Sequence, residues 1–137
     1  MKALSIRQPW AWAIIYAGKN VENRSWVTDY RGPLLIHASK RFDFDGFQWM
    51  HENAEDLGLK SAITHHHLIP LRHEFYKGGI IGKVYFKKLV RSKSFSRWMF
   101  GPWGWLLENP ESIPFIPYRG KLGLFDIPDE IINQRLK

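Results

Sequence analysis

Eight consecutive apolar residues, Trp10-Ala-Trp-Ala-Ile-Ile-Tyr-Ala17, bracketed by Pro9 and Gly18, constrain this chain more than any other segment. Proline favours the first turn of a helix and glycine the position just past its end. A helix that is apolar nearly all round must be covered on several sides, so it belongs inside a core and not on a surface. The run is far too short to span a bilayer. A chain of 137 residues suffices for one domain with a real core around such a helix. There is no cysteine, hence no disulfide and no thiolate metal site. Lys2 is not followed by the long apolar core and cleavage site of a signal peptide. We therefore expect a cytoplasmic protein with no membrane association, no cofactor and no metal.

The remaining elements follow from patterning. Ala3 to Ile6 reads as a first strand, and Gly32-Pro-Leu-Leu-Ile-His-Ala38 as a buried strand opened by turn residues. Asp45 is placed to cap a second helix, with Gln48 completing a capping box and Gly58 stopping it. Ile80 to Val90 is expected to be the longest strand, with Ile80, Val84 and Phe86 facing the core and Lys83, Tyr85 and Lys87 on the other face. Trp103 to Glu108 and Lys121 to Phe125 are further strand candidates. The proline-rich stretch Asn109 to Pro117 is expected to be a link, because proline cannot serve a central strand. Asp129 to Leu136 closes the chain as a helix, and Lys60 to Gly79 reads as a short helix or a long loop. Strands interrupted by helices, with no repeat and no linker, predict one α+β domain over residues 1–137.

Charge is unevenly placed. The chain carries +7, and residues Arg72 to Arg97 hold eight cations against Glu74 alone, a local excess equal to the whole. Concentrated positive charge attracts phosphate, although a solvated basic face serves solubility equally well. Seven Trp and five Tyr add rings able to stack on bases, so a basic and aromatic surface fits single-stranded nucleic acid.

The segment Gly18-Lys-Asn-Val-Glu-Asn-Arg24 bears most directly on chemistry. If Val21 to Ser25 is extended, Glu22 and Arg24 share a face, and a carboxylate beside a guanidinium can orient donors toward a phosphate or base. The same spacing also makes ordinary surface salt bridges, and spacing alone leaves both readings open.

Together with Ser5-Ile-Arg-Gln-Pro-Trp10, this segment resembles the ASCH domain, a relative of the PUA domain. The family's mark is a Gly-x-Lys-x-x-Glu-x-Arg-like pattern after the first helix; here Gly18 abuts Lys19, and Lys19, Glu22 and Arg24 are otherwise in register. Gly32 to Ser39, Gly101 to Glu108 and Ile116 to Gly123 also look like bacterial and phage members, so the resemblance spans most of the chain, least clearly from Arg41 to Gly79.

The resemblance implies a small PUA-like β-barrel with flanking helices and a cleft, lined by Lys19, Glu22 and Arg24, for RNA or a nucleotide. Some similar members hydrolyse the amide of N4-acetylcytidine and some cleave single-stranded RNA. The small amidohydrolase branch uses a lysine and, three residues on, a threonine nucleophile. Here that position holds Glu22, which has no hydroxyl, so a water activated by Glu22 with Lys19 stabilising charge replaces it. Lys19, Glu22 and Arg24 are thus the candidate catalytic residues if the chain is a hydrolase.

Further candidate contacts to nucleic acid are Gln8 near the helix N-terminus, Trp26, His37 and Lys40 on the buried strand and its end, Lys83, Tyr85 and Lys87, and Arg119 and Lys121 around Gly120. For each there is a plainer role: His37 and Trp26 as core residues, Arg119 and Lys121 as solvated turn residues. The adjacent His65, His66 and His67 diverge and suit no single metal. Partners are then RNA, a nucleotide or a nucleoside, and a monomer is expected. A base-sized pocket favours the hydrolase reading, an open basic groove the strand binder, and some members act as protein-interaction modules in transcriptional coactivators.

Overall fold

The structure, a computed structural model, describes residues 1–59 and 69–136. Strands β1 (Lys2–Gln8), β2 (Val21–Arg24), β3 (Gly32–Phe42), β4 (Gly79–Val90), β5 (Trp103–Pro117) and β6 (Leu124–Asp126) alternate with helices α1 (Trp10–Tyr16), α2 (Phe44–Glu52) and α3 (Asp129–Leu136). The strands form one sheet in the order β2-β5-β4-β3-β1-β6. Among the described residues only β1 and β3 run parallel. The fold is α+β as expected, but the sheet is not closed into a barrel. Its outer strands, β2 and β6, are four and three residues long and are not paired with each other.

Both faces of the sheet are covered, which is why Gly32–Ala38 reads as a continuous apolar run. Leu34, Ile36 and Ala38 of β3 join Val84, Phe86 and Trp105 beneath Ala11, Ile14 and Ile15 of α1. Leu35 turns the other way, with Ile80, Ile113 and Phe125, against Ile132 of α3. The third side of α1, carrying Ala13, packs on Met50 of α2 and on Phe75 and Trp98. The all-round apolar helix is thus enclosed on several sides.

Several expectations are corrected. Ile80, Val84 and Phe86 are all buried, but Ile80 faces α3 while the other two face α1. The cause is a bulge: Gly82 pairs with Ile36 and Ile80 with His37, which leaves Ile81 as an extra residue that shifts the alternation. The longest strand is β5, with 15 residues, not β4 with 12. It runs straight through Pro110, Pro114 and Pro117, because β2 pairs only with Trp103 to Leu106 and the proline-bearing half has an open edge and bulges. The N-cap of α2 is Asp43, whose Oδ1 accepts from the Gly46 amide at 2.9 Å, and the helix stops at Glu52. Strand β6 begins at Leu124, three residues later than expected. The expectation for His65, His66 and His67 lies outside the described residues. Among the described residues no helix is long and apolar enough to cross a membrane.

Candidate functional site

Helix α1 is capped by Ala17, and Gly18 at φ 78° reverses the chain. That left-handed turn is open to glycine at no steric cost. The Lys19 amide returns to the Ala13 carbonyl at 3.1 Å, and the Lys19 side chain is driven into the body, where it is 3% exposed. Its Nζ donates to the Val21 carbonyl and stands 3.7 Å from Glu22 Oε1. It also lies 5.6 Å from the centre of the Trp10 ring, a cation–π distance. Burial pushes the Lys19 ammonium below its ordinary pKa; the Glu22 carboxylate opposes the shift and Arg24 adds to it.

Two residues on, strand alternation puts Arg24 beside Glu22, with Nη2 3.0 Å from Glu22 Oε2. The same Nη2 donates to the Ser5 carbonyl of β1 at 3.0 Å. Glu22 is therefore clamped between two cations, one oxygen to each. Among the described residues the Arg24 guanidinium is not saturated by protein acceptors, since its Nε is buried with no partner there.

Asn23, between them, works on the surroundings. Its Oδ1 accepts from the Phe100 and Gly101 amides at 2.8 and 3.0 Å, and its Nδ2 donates to the Trp98 carbonyl at 2.9 Å. This ties down the 98–101 loop and sets Phe100 at the rim of a cleft of about 240 Å³. Ser5, Ile6, Arg7, Trp10, Lys19, Glu22, Asn23, Arg24 and Phe100 line it. Trp10 is held by Asp43, whose Oδ2 accepts from the indole N–H at 2.9 Å, with the Arg7 guanidinium 3.8 Å away. Partial burial pushes the Asp43 carboxyl up, but the Gly46 amide, the Trp10 indole and Arg7 outweigh it and hold its pKa below the usual value. The space beside that cap exists only because residue 46 is glycine: a Cβ there would lie 2.4 Å from Trp10 Cζ2.

Of the twelve residues singled out from sequence, the cleft gathers Lys19, Glu22 and Arg24. Gln8 is buried and spent internally, accepting from the Trp12 amide at 2.8 Å and donating to the Tyr76 carbonyl at 2.9 Å. Trp26 packs edge-on against Trp105, centroids 4.9 Å apart. His37 is 2% exposed; its Nε2–H donates to the Tyr118 carbonyl at 2.6 Å, so Nδ1 accepts from the Ser5 hydroxyl at 2.9 Å. Lys83 and Lys87 pair with Glu111 and Glu108 of β5 at 3.3 and 3.2 Å, on either side of the exposed Tyr85. The basic row of β4 is thus answered by an acidic row. Lys40, Arg119 and Lys121 are exposed and outside the cleft, although Gly120 abuts His37 and Ser5. Sequence reasoning missed Arg7, Trp10, Asn23 and Phe100 as cleft residues. Arg7, Trp10 and Asn23 lie within the segments that carried the resemblance, whereas nothing local marks Phe100.

The fold is a mixed α+β sheet whose first helix and second strand enclose a charged, aromatic-walled cleft. The chain belongs to the ASCH-domain family, whose model matches residues 4–118. The structure is similar to that of the ASCH protein from Zymomonas mobilis, with TM-score 0.54, 15% identity, and coverage of 98% of this chain and 92% of that one. A mutant of the same Zymomonas mobilis protein gives TM-score 0.58 at 14% identity, covering 98% and 94%. These likenesses concern the fold. No curated protein matches the sequence.

Proposed function

We propose that this ASCH-domain protein binds RNA or a nucleotide by taking one nucleoside unit into the Lys19–Glu22–Arg24 cleft. The observation that carries the reading is the convergence of these three charged groups on a single cleft walled by Trp10 and Phe100. Donors on Arg24 suit the acceptor edge of a base, and the rings supply stacking, which is the usual grip on an unpaired base. At about 240 Å³ the cleft is smaller than the roughly 300–1,000 Å³ of sites for drug-sized ligands. It suits one base with its sugar and not a stack of several. Titration of tryptophan fluorescence with the common ribonucleosides, N4-acetylcytidine and a short oligouridylate tests this directly. Glu22→Gln is expected to weaken the best ligand by roughly 10- to 100-fold, the worth of a hydrogen bond to a charged group. Equal affinity in the variant overturns the assignment of the site.

One observation favours a second reading as a hydrolase of an acylated base. Lys19 is buried 3.7 Å from the Glu22 carboxylate with its amine pushed toward the neutral form, and a lysine perturbed in this way is the kind of group that marks proton-transfer sites. In that reading Glu22 takes a proton from a water that attacks the acyl carbon, Lys19 stabilises the oxyanion, and collapse breaks the C–N bond as the proton passes from Glu22 to the leaving N4, giving acetate and cytidine. Release of cytidine from N4-acetylcytidine by the wild type, lost in Glu22→Gln and kept in Ser25→Ala, supports this reading. No release by the wild type leaves a pure binding site. Ser25 is exposed and outside the cleft, so an acyl-enzyme trapped on it contradicts the water mechanism.

A further inference from the structure

We propose that the protein also grips the phosphodiester backbone of a single-stranded RNA on a basic surface beside the cleft, formed by Arg7, Lys40, Arg41, Lys77, Arg119 and Lys121. The proposal rests on the cleft reading and extends it from one nucleoside unit to the strand that carries it. These six cations come from four separate stretches of sequence, and the fold collects them. Between the pairs Ile6–Ala38 and Gln8–Phe42, β1 has one residue and β3 has three, so Lys40 and Arg41 bulge out opposite Arg7. The stem of Lys40 lies over Gly78, close enough that a Cβ there would be 3.1 Å from its Cε. Gly78 in turn donates its amide to the Ala38 carbonyl at 2.7 Å and accepts from the Tyr118 amide at 3.1 Å. Lys77 and Arg119 follow directly on either side of that junction. Gly120 packs on His37 and Ser5, where a Cβ would stand 2.8 Å from His37 Cε1, which brings the Arg119–Lys121 turn against a cleft-lining residue.

The charge state of this surface sets it apart. All six residues are exposed. Among the described residues Lys40, Arg41, Lys77, Arg119 and Lys121 make no ion pair, and Arg7 has only the 3.8 Å contact to Asp43, whose carboxylate already accepts from Trp10 and Gly46. On β4, in contrast, Lys83 and Lys87 are neutralised by Glu111 and Glu108. Charge density along the sequence points to Arg72–Arg97 as a block, but the fold cancels much of its middle and leaves Lys77 to join cations from elsewhere. A cluster of unpaired cations next to a base-sized cleft matches a polyanion with its bases turned outward, which is a single strand. Arg7, shared by cleft and surface, then meets the phosphate nearest the bound base.

The test is the salt dependence of binding to a fluorescein-labelled oligouridylate. Neutralising Lys40, Lys77, Arg119 and Lys121 together to Gln is expected to weaken binding at least tenfold at low salt. It should flatten the slope of log affinity against log salt by roughly 2–3, from about 0.7 per phosphate contact on a single strand. Lys83→Gln with Lys87→Gln should leave the slope as in the wild type. An unchanged slope in the four-site variant, or an equal flattening in the β4 variant, overturns the proposal. Wild-type binding of a nucleoside without binding of the oligouridylate also overturns it while leaving the cleft reading intact. Binding of the oligouridylate that Glu22→Gln does not weaken, lost in the four-site variant, supports the surface and removes the cleft.

Discussion

His37 joins the two halves of the proposed surface through one hydrogen-bonding arrangement. Its Nε2–H donates to the Tyr118 carbonyl and its Nδ1 accepts from Ser5, whose own carbonyl accepts from Arg24. Burial lowers the His37 pKa below 6.5, with the Tyr118 carbonyl opposing the shift. Below pH 6.5 the unfolded chain takes up a proton that the folded one resists, so stability falls as pH drops through that range and is level above it. His51 is shifted the same way by burial and adds to the slope. Thermal midpoints measured between neutral pH and about pH 5 should therefore decline in the wild type and decline less in His37→Gln, which keeps a donor for Tyr118. An identical decline in both proteins contradicts the role given to His37. From the sequence His37 reads first as a core residue and second as a ligand contact; its register opposite Ser5 is set by a strand 32 residues away.

At the scale of elements, the start of α2 supports the cleft floor through Gly46. The glycine lets the cap turn lie flat on Trp10 while its amide binds Asp43. Gly46→Ala forces a Cβ into Trp10 and the Asp43 carboxylate, and we expect a cost of about 1–3 kcal/mol by overpacking. Asp43→Ala removes the cap and the indole's partner together, at a cost of about 0.5–2 kcal/mol for the cap alone. Urea denaturation of both variants checks these values; wild-type stability in Gly46→Ala contradicts the packing described. These elements were unevenly legible. Helix α1, the extension at Glu22 and Arg24, and α3 follow from local patterns that the tertiary structure leaves in place. Asp45 instead of Asp43 was the readable cap because Gln48 completed a capping box, and the partner that favours Asp43, the Trp10 indole, is remote in sequence. The strand through Pro110 and Pro114 was hidden for a similar reason, since a proline is compatible with a strand whose edge is open, and edges are a property of the sheet.

Across the whole molecule, an open sheet with both faces covered leaves the proposed site at one corner, where α1, β2 and the 98–101 loop meet β1. The Lys-x-x-Glu-x-Arg spacing made the polar centre of that corner readable, because three residues within one turn and one short strand stay together whatever the rest of the chain does. Its walls were not, since Phe100 reaches the cleft only through Asn23 and a loop 77 residues away. Nor was the distribution of free charge, because Glu108 and Glu111 cancel Lys87 and Lys83 only once β5 lies beside β4.

The central claim is that Lys19, Glu22 and Arg24 act as one site on one ligand, and a double-mutant cycle measures it most directly. Glu22→Gln and Arg24→Gln, singly and together, are compared for affinity to the nucleoside that the wild type binds best, with thermal midpoints recorded alongside. Since Glu22 Oε2 and Arg24 Nη2 are 3.0 Å apart, each single change should already remove most of the binding, and the double change should add little. The coupling energy expected for such a contacting pair is about 0.5–3 kcal/mol. Two small losses that simply add, or a wild type that binds none of the nucleosides, would contradict the account.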